Sequence, residues 1–192
     1  SRRLVIYRQH ETDMRWVRRQ IRGTKMVGLF RTEKSSQQIS ISRLDFIDWC
    51  WRGHLWRIEE IYLVRGYLSE QFDQLLYKYP NIKFIENPAY NEANNISSAM
   101  CVRYLLNNAY VCEGDILLHN PKIIQKYQYK SNYCGIKCDR TDDWCLFENK
   151  GRITGYAVGG ENCHQMMGIS YWTEEDGRKL GDCIKKVYEM PG

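Results

Sequence analysis

From Ile58 onward, apolar and polar residues alternate in blocks of strand and helix length. Ile61-Tyr62-Leu63-Val64 is a continuous apolar run of strand length, and Gly66 permits the turn after it. Leu68, Phe72, Leu75, Leu76 and Tyr79 then recur at helical spacing, with Ser69 placed as an N-cap. Pro80-Asn81 stops that helix, and Ile82-Lys83-Phe84-Ile85 reads as the next strand. Asn94 and Asn95 stand where a second N-cap belongs, ahead of a stripe of Ile96, Met100 and Tyr104 with Cys101 and Leu105. Ala109-Tyr110-Val111-Cys112 is a third strand-sized run. Strand, helix, strand, helix, strand predicts right-handed crossovers and a mostly parallel sheet, an α/β fold.

The second half changes rhythm. Ile116-Leu117-Leu118 reads as a short edge, and Asn120-Pro121 opens a helix over 122–127, because proline suits a first helical turn. Three strands follow at 133–138, 144–147 and 152–158, with Asn149-Lys150-Gly151 as a hairpin turn between the last two. Residues 167–171 form a further strand. Thr173 caps a closing helix with Leu180, Cys183, Ile184, Val187 and Tyr188 on one face. The first 57 residues carry little periodicity: Leu4-Val5-Ile6-Tyr7 predicts a strand, and residues 45–51 part of a helix.

The chain of 192 residues is long enough for one well-buried domain, and 43% hydrophobic with 13% aromatic residues fits a folded protein. No apolar run reaches membrane-spanning length and no signal peptide is apparent, so a cytoplasmic location without membrane partners is expected. The net charge of +5 is unevenly spread. Residues 1–58 hold 13 Lys and Arg against 5 Asp and Glu, while the remainder holds 15 against 18. Eight cysteines match no standard paired metal-ligand spacing; Cys134, Cys138, Cys145 and Cys163 read as buried free thiols rather than a zinc site.

The candidate chemistry starts at Glu113-Gly114-Asp115, directly after the third strand. A strand that ends on two carboxylates presents them at the crevice where open α/β sheets bind ligands. Hard oxygen ligands there suit Mg²⁺ carrying substrate phosphates; the alternative is a solvated acidic turn. Asn94, Asn95 and Ser98 on the preceding helix have polar groups beyond what capping uses. Asp143 beside Trp144 places a carboxylate next to an aromatic side chain.

Tyr90-x-x-x-Asn94-Asn95-x-x-Ser98 followed by the acid-Gly-Asp strand end resembles the bacterial choline-phosphate cytidylyltransferases and related sugar-phosphate-type nucleotidyltransferases. Residues 61–73 are similar to that family's second strand, turn and helix. Asp143-Trp144, Gly168-Ile169-Ser170-Tyr171-Trp172 and the final helix fall in family order, so the likeness spans residues 58–192. It implies a Rossmann-like, three-layer nucleotidyltransferase fold that joins CTP to phosphocholine, giving CDP-choline and pyrophosphate. It further implies Asp115 as catalytic metal ligand with Glu113 in support, and Asn94, Asn95 and Ser98 at the nucleotide. Asp143 and Trp144 would meet the acceptor, with Tyr171 or Trp172 as a further wall. The family continues past the equivalent of Pro191-Gly192 toward an aromatic-acid segment that supplies a second metal carboxylate.

Residues 1–57 depart from that pattern. The family opens with a hydrophobic strand, a Gly-rich phosphate loop carrying an arginine, and a Pro-Lys pair. Here the glycines are only Gly23, Gly28 and Gly53, and there is no proline. The chain thus divides into an atypical basic segment, 1–57, and a nucleotidyltransferase-like domain, 58–192. Divergence, an appended element and translation in a shifted reading frame each account for the segment; the abrupt return of family-like sequence at Ile58 favours the last. Impaired activity is expected, with a non-catalytic nucleotide-binding remnant or a sugar-phosphate or phosphonate nucleotidyltransferase as alternatives. The basic, Trp-rich start also raises nucleic-acid binding, a weaker reading that steep salt dependence would identify.

Overall fold

The computed structural model describes residues 4–5, 25–29, 60–80, 82–93, 95–113, 123–125 and 128–190. Seven strands form one sheet: β1 Leu4–Val5, β2 Lys25–Leu29, β3 Glu60–Arg65, β4 Ile82–Glu86, β5 Ala109–Glu113, β6 Asn132–Asn149 and β7 Arg152–Trp172. Their spatial order is β1-β6-β7-β5-β2-β3-β4. β5, β2, β3 and β4 run parallel, whereas β7, β6 and β1 join antiparallel at one side. Among the described residues the helices are α1 Gln74–Lys78, α2 Asn95–Val102 and α3 Glu174–Tyr188, with 3₁₀ turns at Ser69–Phe72 and Arg103–Leu105.

Alternation along the parallel strands builds two cores, one per sheet face. Ile61, Leu63, Ile82, Tyr110 and Cys112 point to one side, where Phe72, Leu75 and Tyr79 cover them. Val64, with Tyr62, Ile85 and Val111, points to the other, against Ile96, Met100, Val102, Leu106 and Ile184. Helix, sheet and helix make the three layers that the family resemblance implies.

Several local expectations are revised. Leu68, not Ser69, precedes the first 3₁₀ turn, with φ of 53° and no side-chain cap, and Leu76 lies exposed at 40%. Tyr104 is 65% exposed because the α-helix gives way to a 3₁₀ turn after Val102, which rotates it off the buried face. On α3 the buried face is Gly177, Gly181 and Ile184, while Cys183 and Val187 face outward. A Cβ on Gly181 would stand 2.5 Å from the Arg103 carbonyl oxygen, and one on Gly177 would strike that of Leu106. The helix backbone therefore seats directly on the turn after α2. Thr173 caps α3 as expected, its hydroxyl accepting from the Asp176 amide at 3.3 Å.

The strands expected at 133–138, 144–147, 152–158 and 167–171 are two long strands of one ribbon. Lys150 and Gly151, both at positive φ, close its hairpin, the backbone a two-residue primed turn requires. The ribbon bends where Thr141–Trp144 faces Gly159–Gly160 and doubles back, so that Cys145 and Leu146 pair with Gln165 and His164 as well as with Ala157 and Tyr156. Gly159 supplies the positive φ at the bend.

The basic N-terminal segment contributes two strands to this sheet. Leu4–Val5 pairs with β6, within the strand predicted at 4–7. Lys25–Leu29, which the sequence reading left unassigned, lies between β3 and β5 and parallel to both. The helix expected at 45–51 and the edge at 116–118 lie outside the described residues. Of the helix expected over 122–127, Ile123 is in a 3₁₀ turn and Gln125 in none. No described helix is long and apolar enough to cross a membrane.

Candidate active site

The C-terminal edge of the parallel strands is where this fold exposes chemistry. Glu113 ends β5 at that edge and is exposed, level with Leu29 at the end of β2. Asp115 and Asn94 lie outside the described residues. On β6, across β7 from β5, burial pushes up the pKa of Tyr133, and the nearby Glu113 charge raises it further; its hydroxyl bonds to the Gly168 backbone. Nothing in the sequence pattern singled Tyr133 out; only the β5–β7–β6 pairing brings it beside the acidic strand end.

Three strands from β5, β4 delivers Asn87 to the same edge. Its backbone N–H donates to the Arg65 carbonyl at 2.8 Å, and its side-chain oxygen accepts from the Ala89 amide at 3.0 Å. Its Nδ2 donates to Ser97 Oγ at 2.9 Å and Ser98 Oγ at 3.0 Å. All three side chains are buried, at 4%, 3% and 8% exposure. This closed network clamps the first turn of α2 to the end of β4. Ser98, expected beside the nucleotide, thus sits inside the clamp, while Asn95 on the same turn is exposed. Asn87 was missed by the sequence reading, although an Asn-Pro at a strand end is a turn signal. Gly66 and Tyr90 close the neighbouring corner, since a Cβ on Gly66 would overlap the Tyr90 ring. Arg65 beneath them is 14% exposed, bound to Glu86 and Asp73, with its guanidinium 4.0 Å from the Phe84 ring centroid.

The acceptor candidates separate. β7 pairs Ala109 with Trp172 and Cys112 with Ile169, so it runs downward as β5 runs up. Tyr171 and Trp172 therefore lie at the opposite edge from Glu113. Tyr171 is a core residue, 3% exposed, with its ring 5.1 Å from Tyr110; Trp172 donates from Nε1 to Ser170 Oγ at 2.9 Å. That placement sets both apart from the acidic edge, because strand direction reverses their order along the chain. The ribbon instead extends past the Glu113 edge, Gln165 standing three residues, roughly 10 Å of strand, beyond that level. Asp143 and Trp144 ride there. Asp143 accepts from the Trp144 amide at 2.7 Å and from Gln165 Nε2 at 3.3 Å. Trp144 is 52% exposed and stacks on Tyr156, with ring centroids 6.3 Å apart and planes 28° apart. Tyr156 is a second aromatic that the spacing did not flag.

Known proteins resemble this chain in sequence and in fold. A 2-aminoethylphosphonate cytidylyltransferase of Lancefieldella rimae is 33% identical over 139 residues, 70% of this chain and 56% of that protein. A choline-phosphate cytidylyltransferase of Haemophilus influenzae is 30% identical over 120 residues, 62% and 51% of the two chains. The chain is similar to the cytidylyltransferases. It spans about half the length of the curated relatives it matches. A solved structure of a CTP:phosphocholine cytidylyltransferase from Streptococcus pneumoniae superposes with a TM-score of 0.70 at 23% identity, covering 88% of this chain and 78% of that one. This match fixes the cytidylyltransferase-like fold as Rossmann-like α/β. No protein-family model matches the chain.

Proposed function

We propose that the chain is built for cytidylyl transfer, joining CTP to phosphocholine or a related phosphorylated or phosphonate amine with release of pyrophosphate. The observation that carries this reading is the convergence at one sheet edge: exposed Glu113, the first turn of α2 and the Asp143–Trp144 ribbon. In this reaction an acceptor oxygen must stand in line with the α-phosphate of the nucleotide while the developing charge is neutralised. The exposed oxygen donor at the end of β5 suits Mg²⁺, and Asp115 with Glu113 would hold it; among the described residues no cluster of three or more metal-ligating side chains gathers. Bound there, the metal supplies Lewis-acid neutralisation of the phosphates. Asn94 and Asn95 are assigned to nucleotide binding, and the Asn87 clamp, Ser98 included, sets the angle of the α2 start.

On the acceptor side, the Trp144–Tyr156 stack offers aromatic faces to a methylated cation, and Asp143 supplies negative charge. A second acceptor, 2-aminoethylphosphonate, has its own support in the 33% identity of the Lancefieldella relative. Its primary ammonium has donors that the Asp143 carboxylate would take. Residues 1–57 lack a Gly-rich loop with its arginine and lysine, so slow turnover is expected. Pyrophosphate release measured over a panel of nucleotides, with phosphocholine, phosphoethanolamine and 2-aminoethylphosphonate as acceptors, tests the reading. CTP with an amine-bearing acceptor should give the highest rate; an equal rate without any acceptor would overturn it.

A further inference from the structure

Outside this edge, the strongest cluster of reactive groups is a set of thiols at the base of the ribbon. Cys138 and Cys163 are direct ladder partners on β6 and β7, and their sulfurs lie 3.8 Å apart. Paired residues on antiparallel strands have Cα atoms about 4.5–5.5 Å apart. That separation lies inside the window of about 4.4–6.8 Å that a disulfide spans. Cys145 also reaches Cys163, but its ladder partners are Gln165 and Ala157. Among the described cysteines, only the Cys138–Cys163 pair therefore has both sulfur proximity and strand register.

Access differs between the two. Cys138 is half-buried at the ribbon surface, whereas Cys163 and Cys145 are fully buried. We propose that Cys138 and Cys163 are a reversible oxidation site that takes a peroxide and closes a cross-strand disulfide. Peroxide oxidises the Cys138 sulfur to the sulfenic acid, breaking the O–O bond and releasing one water. The Cys163 sulfur then attacks the Cys138 sulfur; the S–O bond breaks and the hydroxyl leaves with the Cys163 proton as a second water. Two thiols are oxidised and one peroxide is reduced. Burial raises the pKa of Cys163 and so leaves the first step to its more accessible partner, while the 3.8 Å between the sulfurs favours the second. A dithiol reverses the bond by exchange.

The bond closes the loop that carries Asp143, Trp144 and Tyr156, tying the ribbon at its base. The test is peptide mapping of the full chain under non-reducing conditions after stoichiometric hydrogen peroxide, which needs neither substrate nor activity. The expected product has lost two hydrogens, links the Cys138 and Cys163 peptides, and returns to the thiols with dithiothreitol. Cys138→Ser, a half-exposed and mild change, should abolish the link, and Cys145→Ala should retain it. Hydrogen exchange over 136–147 should slow in the oxidised form. Oxidation of Cys101 or Cys183 with Cys138 and Cys163 left reduced, or a link between Cys145 and Cys163, would overturn the proposal.

Discussion

At the scale of single residues, the site depends on two different uses of polarity. Asn87 satisfies four hydrogen-bonding demands in a place with almost no water. Asn87→Ala leaves the Ser97 and Ser98 hydroxyls without their donor inside a packed layer. Urea unfolding should show a loss of about 1–3 kcal/mol with an unchanged slope. A loss within about 0.5 kcal/mol, the range of ordinary surface changes, would mean that the clamp is dispensable. Trp144 is the opposite case, a large apolar side chain left half in water and braced by Tyr156. If its face receives a methylated ammonium, Trp144→Ala should weaken phosphocholine by about 1–2 kcal/mol, and Trp144→Phe by less. Phosphoethanolamine, strongly hydrated and with three donors, should bind the wild type more weakly than phosphocholine. Calorimetric titration of both ligands should show that gap shrinking in the alanine variant. A phosphocholine preference that survives Trp144→Ala undiminished would assign the acceptor to another surface.

At the scale of elements, α3 shows where periodicity misleads. Leu180, Ile184, Val187 and Tyr188 form an apolar stripe, yet the closest packing is made by two glycines one turn apart. Alanine is the better helix former by about 1 kcal/mol, so propensity alone predicts that Gly181→Ala stabilises. The Arg103 carbonyl predicts the reverse, a loss of about 1–3 kcal/mol as the helix is pushed off its seat, read as a lower thermal midpoint. The parallel strands β3 and β5 were legible because burial on both faces makes them near-continuous apolar runs, and the edge strand β4 because Pro80-Asn81 stops the helix before it. The capped start of α3 and the Lys150-Gly151 turn were legible because local chemistry fixes them. β2 was not: Lys25-Met26-Val27-Gly28-Leu29 is short and opens on a charge, and only its place between two strands reveals it. The ribbon was read as separate strands because its bend interrupts the alternation at Thr141–Trp144.

At the scale of the whole molecule, sheet topology sorts the candidate site. Glu113, the first turn of α2 and the Asp143–Trp144 ribbon gather at one edge, and strand direction sends Tyr171 and Trp172 to the other. Neither distance along the chain nor residue type distinguishes these groups; the antiparallel insertion of β7 does. The central claim is that this edge receives a nucleotide through Mg²⁺ held on the acidic end of β5. The most direct measurement is calorimetric titration of CTP with and without Mg²⁺, in the wild type and in Asp115→Asn. Mg²⁺ should strengthen CTP binding to the wild type, and the variant should lose that gain while its ligand-free thermal midpoint stays the same. Unchanged Mg²⁺-dependent CTP affinity in a folded Asp115→Asn protein would contradict the account.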